Sequence, residues 1–219
     1  MVTALKRKSP LLHSAAKPLL FVLCLLPLCW LVWGAVFDQL GANPAEALIR
    51  SLGDWTLRGL CLTLLITPLR VLSSQPALLR FRRMLGLFVF FYASLHLLAY
   101  SWLDMGLGLN DIWLDILKRP FILMGFSAWL LLLPLAATSF NRAIRWLGGK
   151  RWQLLHRLIY PLSLIGLAHF IWMRAGKNNF AEPAVYGAIL AVLLGWRAYR
   201  AWAARRSRTT SPLKSSAMT

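Results

Sequence analysis

Six stretches of apolar residues dominate this 219-residue chain: about 18–37, 55–72, 84–103, 121–138, 152–173 and 183–203. Each is long enough to cross a hydrocarbon core about 30 Å thick as a helix. Within lipid, every backbone N–H and C=O must be paired inside the spanning element, so only helices and closed barrels cross a bilayer. No stretch shows the alternating pattern of a strand. The expected fold class is therefore all-α, a polytopic membrane protein built as a six-transmembrane-helix bundle over 18–203. A basic leader (1–17) precedes it. A basic, Ser/Thr-rich tail (204–219) follows, with too few apolar residues to order itself. The first apolar run, LLFVLCLLPLCWLVWGAVF, is too long for a signal peptide and lacks a small-x-small cleavage site, so it reads as a retained helix.

A net charge of +18 would suggest nucleic acid in a soluble protein, but here the placement of the charges excludes that partner. With the N-terminus inside, nineteen of the 25 Lys and Arg residues fall on the inner side. Only Arg50, Arg58, Lys118, Arg119, Arg174 and Lys177 fall outside. This is the positive-inside bias that orients membrane helices, and it predicts that both termini are cytoplasmic. All seven acids (Asp38, Glu46, Asp54, Asp104, Asp111, Asp115 and Glu182) fall outside, where they could serve as a docking face. The outer loops are expected at 38–54 and 104–120, the inner ones at 73–83 and 139–151. Cys24, Cys29 and Cys61 lie within spans, at spacings that fit neither a disulfide framework nor a zinc site. No P-loop and no GxGxxG fingerprint is present, so a nicotinamide cofactor has no ordinary binding site here.

An ionisable side chain inside a bilayer is a functional hypothesis by default. His13 belongs to the leader, while His96 lies in span three and His156 and His169 in span five. Both spans run from inside to outside, so residue count converts to depth at 1.5 Å per residue. His96 and His169 come out at similar depth in the outer half, with His156 about 20 Å closer to the cytoplasm. Two imidazoles at one depth on different helices can supply both axial nitrogens of a haem iron. The plain alternative is that each ring hydrogen-bonds a neighbouring carbonyl. Thirteen residues place His156 and His169 about 140° apart around a straight helix. Pro161 and Gly166 lie between them and can distort the span. Near the inner face, Arg82, Arg83, Arg151 and Arg157 can pair with haem propionates or a flavin phosphate, or serve only as the inside-positive flank.

The blocks DWTLRGLCLTLLITPLR, RRMLGLFVFFYASLHLLAY, KRPFILMG, LPLAATS and RWQLLHRLIY, spread in order over about 18–203, closely resemble the MsrQ (YedZ) family. These are haem-binding membrane subunits of the bacterial periplasmic methionine-sulfoxide reductase system. The family is similar in turn to the ferric reductase and NADPH oxidase transmembrane domain, whose third and fifth spans each carry two haem-ligating histidines. Span five here keeps both, His156 and His169, while span three keeps only His96 and has Arg83 or Arg82 at the inner position. The resemblance implies heme b, one or two copies, and FMN as cofactors. It also implies an inner-membrane location and electrons drawn from the quinone pool or a cytosolic flavin reductase. The acceptor it implies is a periplasmic molybdopterin-containing methionine-sulfoxide reductase catalytic subunit (MsrP). An inner haem would then be five-coordinate or take a different second ligand, or the inner site would hold a flavin.

The expected role is thus an electron-transfer subunit with no catalytic residue of its own. His96 and His169 are expected to hold the outer haem and His156 an inner one. Two rivals stand beside it: a stand-alone ferric or quinone reductase, and a transporter whose histidines relay protons or bind a metal ion. No span is broken in the paired way of many transporter sites.

Overall fold

The computed structural model of the chain describes residues 13–176 and 178–209. The leader up to residue 12, Lys177 and the segment beyond 209 lie outside the described residues. Nine α-helices make up the described chain, among whose residues there is no β-strand: α1 (Ala16–Val36), α2 (Pro44–Leu72), α3 (Leu79–Ala99), α4 (Leu109–Lys118), α5 (Pro120–Ala137), α6 (Asn141–Leu147), α7 (Gly149–Leu155), α8 (Ile159–Ala175) and α9 (Ala181–Thr209). Among the described residues, five segments are long and apolar enough to cross a membrane: α1, α2, α3 with its flanking turns, α5, and the stretch from α7 through α8. The sixth long helix, α9, carries Arg197 and Arg200 inside the expected span 183–203, which dilutes its apolar character.

Several expected boundaries move. Helix α2 begins eleven residues before the expected start at 55, because charges interrupt the apolar run there without interrupting the helix. Asn43 caps it, its side chain accepting the Glu46 N–H at 3.1 Å, and Pro44 occupies the first turn. Both are strong helix-start signals. Glu46 and Arg50, one turn apart, form a salt bridge on that added stretch. The outer loop expected over 104–120 contains α4, and the inner loop expected over 139–151 contains all of α6 and the start of α7. Gly148, at φ +73°, makes the sharp junction between those two, a conformation open to glycine at little cost. At the C-terminal end, α9 runs to Thr209, six residues into the segment expected to be an unstructured tail.

Helix α2 pairs most extensively with α3, and α5 with α8; α3 against α5 and α9 against both α2 and α8 join the two pairs. Their shared core takes Leu60 and Leu64 from α2, Val89 from α3, Leu132 from α5, Leu162 from α8 and Leu190 from α9. Helix α1 stays outside this core, packing Leu31 against Leu52 and Tyr92. Its Pro27 cannot donate to the preceding turn, and the Tyr92 hydroxyl occupies the loosened ladder beside it. That hydroxyl donates to the Cys24 carbonyl at 2.7 Å and accepts the Leu28 N–H at 3.2 Å. Large apolar side chains such as Phe21, Leu26, Trp30, Leu62, Leu130, Leu164 and Val192 remain exposed around the bundle. So much exposed apolar surface suits lipid rather than water.

Candidate functional site

Among the described residues, one cavity opens toward the end of the bundle that collects the acids and another toward the basic end. The acidic-end cavity, about 330 Å³, is walled by α2, α3, α5 and α8. His96 enters it from α3 and His169 from α8, with ring centres 6.2 Å apart and planes at 74°. The His96 Nδ1 lies 2.8 Å from the Ile49 carbonyl of α2. The His169 Nδ1 lies 2.6 Å from the Phe121 carbonyl of α5. A carbonyl can only accept, so in both rings Nδ1 carries the proton and Nε2 keeps its lone pair. This is the arrangement in which metal-binding imidazoles are commonly held, the second nitrogen fixing tautomer and orientation. The alternative raised from sequence, that each ring bonds a carbonyl, therefore describes one nitrogen of each ring and leaves the other available.

These two nitrogens limit what the site can bind. Among the described residues, no group of three His, Cys, Asp or Glu side chains is placed to hold a metal ion. A metal captured here must bring its own remaining ligands, as a macrocycle does. Nitrogen–metal distances of about 2 Å on either side would set the ring centres roughly 6 Å apart, so the observed spacing admits one ion between them. Aromatic side chains form part of the wall: Phe121 stacks on His169 at 6.3 Å and Phe126 on Trp129 at 6.0 Å, while Phe90, which does not line the cavity, stacks on Trp129 at 6.3 Å. Trp129 is fixed by its indole N–H, which donates to the Ser94 hydroxyl at 3.0 Å.

The rim of this cavity is charged, with Glu46, Arg50, Asp54, Asp104 and Arg119 lining it. A π turn over Tyr100–Asp104 ends α3 and brings in Tyr100. The Tyr100 hydroxyl donates to Asp115 on α4 at 2.5 Å, and Arg119 binds the same carboxylate. The bonded Arg119 guanidinium holds the Asp115 carboxyl below the usual carboxylate range, against a smaller upward push from burial.

The basic-end cavity is larger, about 510 Å³, and is lined by His156, Arg82, Arg83, Arg157, Tyr160 and Arg197 among others, with no acid in its wall. His156 sits differently from the other two histidines. Its Nε2 is 3.1 Å from the Thr138 hydroxyl, and its ring packs on Trp152 with centres 4.1 Å apart. Trp152 in turn donates to the Thr138 carbonyl at 2.9 Å. The helix changes to a 3-10 turn over His156–Leu158, shortly before Pro161, whose ring and missing N–H disturb the preceding turn. That break separates α7 from α8, so the angle computed for a straight helix does not apply. Gly166 lies within unbroken α8.

Of the residues singled out from sequence, His96 and His169 come together, while His156, Arg82, Arg83 and Arg157 share the second cavity. Arg83 is engaged there with the Asn141 side chain at 2.7 Å. Arg151 is exposed and does not line the cavity. His13 lies apart, its Nδ1 accepting the Ala15 N–H at 3.2 Å. Sequence reasoning missed Arg197, which bonds the Leu64 carbonyl of α2 and the Leu193 carbonyl of its own helix. An arginine inside an expected span was the available signal. It also missed Arg50 and Arg119 at the outer rim, and Gly53 and Gly125 beneath the paired histidines. Val89 and Leu132 line both cavities, so a single layer of side chains separates them.

An all-helical membrane bundle with facing histidines defines a class, and the family model described as "Ferric reductase like transmembrane component" matches residues 52–167. Curated relatives narrow it. The chain is 63% identical over 205 residues to a protein of Polaromonas naphthalenivorans, covering 94% of each. It is 51% identical over 197 residues to one of Herminiimonas arsenicoxydans, covering 90% of each. With a protein of Bordetella pertussis it shares 54% over 190 residues, covering 87% of this chain and 91% of that one. All three carry the name protein-methionine-sulfoxide reductase heme-binding subunit MsrQ. The chain belongs to the MsrQ family within the ferric reductase-like transmembrane proteins. No solved structure matches it.

Proposed function

We propose that this protein is the haem-binding membrane subunit of a methionine-sulfoxide reductase system, carrying electrons across the bacterial inner membrane. The observation that carries it is the pair of half-buried imidazoles, each held at Nδ1 by a carbonyl and both lining a common cavity. His96 and His169 are the axial ligands of a b-type haem there. Haem bound at this position supplies a one-electron carrier. Aromatic side chains line its position, and Arg50 and Arg119 at the rim, each paired with a carboxylate of the chain (Glu46 and Asp115), supply positive charge there.

In the basic-end cavity, Arg82, Arg83, Arg157 and Arg197 together favour an anionic cofactor. FMN suits them through its phosphate, and a second haem through its propionates, with His156 as the available ring. The single layer of Val89 and Leu132 keeps the two cofactor positions close enough for direct transfer. Electrons enter at the basic, cytoplasmic end from the quinone pool or a cytosolic flavin reductase. They leave at the acidic, periplasmic end to a molybdopterin-containing methionine-sulfoxide reductase, MsrP. Both termini are cytoplasmic.

The test is a reduced-minus-oxidised absorption spectrum of the purified protein from haem-replete cells. Soret and α bands are expected, and a featureless spectrum would end the proposal.

A further inference from the structure

The two haem-facing histidines share a feature that lies on neither of their own helices. His96 bonds the Ile49 carbonyl, and the residue one turn on is Gly53; His169 bonds the Phe121 carbonyl, and the residue one turn on is Gly125. In an α-helix the carbonyl of residue i is paired with the N–H of residue i+4. The Cβ of that i+4 residue leans back toward the N-terminus, over the same carbonyl. A side chain there would cover the carbonyl's remaining lone pair. An added Cβ at Gly53 would lie 3.2 Å from His96 Cε1 and 3.3 Å from its Nδ1. At Gly125 it would lie 2.9 Å from His169 Cε1 and 3.0 Å from its Nδ1. Gly166 and Gly195, also helical, have no such neighbour within 4 Å.

We infer that Gly53 and Gly125 are positioning residues, each opening the groove in which the axial histidine of another helix seats its ring against the carbonyl one turn back. This rests on the assignment of His96 and His169 as haem ligands. The same device appears twice, on α2 for α3 and on α5 for α8, and it fixes both which nitrogen faces the cavity and the angle between the two ring planes. The contact at Gly125 is closer than that at Gly53, so the His169 seat tolerates a methyl group less well.

The test uses the full-length protein, purified in detergent from haem-replete cells, as wild type and as Gly125→Ala, Gly53→Ala and Gly195→Ala. Haem per protein, midpoint potential and the low-spin EPR signal are measured, the anisotropy of that signal following the angle between the imidazole planes. Alanine is the better helix former, so helix propensity alone predicts no loss in any variant. Gly125→Ala should lower haem retention about tenfold, as loss of a metal ligand's supporting contact commonly does. Gly53→Ala should keep its haem with a shifted EPR signal and potential, and Gly195→Ala should match wild type in all three. Wild-type haem content and an unchanged EPR signal in monodisperse Gly125→Ala would overturn the inference. If that variant does not yield monodisperse protein, Gly53→Ala decides, a shifted signal supporting the inference and an unchanged one overturning it. Wild-type protein without haem overturns both the inference and the assignment beneath it, whereas haem-loaded wild type with indistinguishable glycine variants overturns the inference alone.

Discussion

The two cavities of this bundle are built on opposite plans. At the acidic end, two histidines from different helices line one cavity with ring centres 6.2 Å apart, each held at Nδ1 by a backbone carbonyl so that Nε2 stays unprotonated. At the basic end a single histidine has its Nε2 bonded to Thr138 and its ring packed on Trp152, and arginines line the wall around it. The first arrangement is prepared for a metal between two nitrogens. The second is prepared for negative charge. Electron carriers of different chemistry, one on each side of Val89 and Leu132, would follow from that contrast.

The largest effect that could break this comparison is on the paired ligands. His96→Ala and His169→Ala should each abolish the acidic-end haem in a reduced-minus-oxidised spectrum, while His156→Ala spares it; normal haem in both outer variants would sink the pairing. Next is Arg197, which ties α9 to α2 at the edge of the second cavity. Hydrogen bonds of a charged group contribute about 2 kcal/mol, so Arg197→Ala should lower the unfolding midpoint and deplete FMN or a second haem. The His96–His169 haem band should remain, and its loss in this variant would mean that the cavities are not independent.

A finer probe is Thr138→Val, which removes the hydroxyl from His156 Nε2 at nearly constant shape. If that hydroxyl competes with iron, the variant should contain more haem per protein than wild type. Unchanged content would argue that His156 is not a ligand and that the basic-end cavity serves a flavin. The smallest expected effect concerns the clasp of Tyr100, Asp115 and Arg119 at the acidic end. Because Asp115 has a depressed folded-state pKa, its contribution is complete above the unfolded carboxylate value of about 3.9. It is lost as pH falls through the lower folded value. The difference in thermal midpoint between wild type and Asp115→Asn should therefore be constant near neutrality and vanish in strong acid. A difference that persists there would place its origin in packing rather than charge.

Much of the bundle was legible because apolar length and charge placement report directly on spans. Boundaries were less so, for a definite reason. Charges at Glu46, Arg50 and Asp54 ended the apolar run, yet Asn43 and Pro44 had already started the helix. Similarly, α4 hid in an expected loop because a short amphipathic helix, with Ile116 buried and Leu109 and Trp113 exposed, leaves no long apolar block. Arg197 was counted among the nineteen inner charges, although its place within an expected span set it apart.

The sequence by itself determined that the chain is a membrane helix bundle, which end is basic, and how deep each histidine lies along its helix. These follow from quantities with fixed conversion factors: apolar length, charge count and a rise of 1.5 Å per residue. Only the tertiary structure decided which carbonyls hold His96 and His169, that Gly53 and Gly125 lie beneath them, and that Thr138 and Trp152 engage His156. Depth is a property of one helix, whereas direction around the axis and choice of partner depend on how helices pack and where α7 breaks from α8. Those choices emerge only when the helices meet.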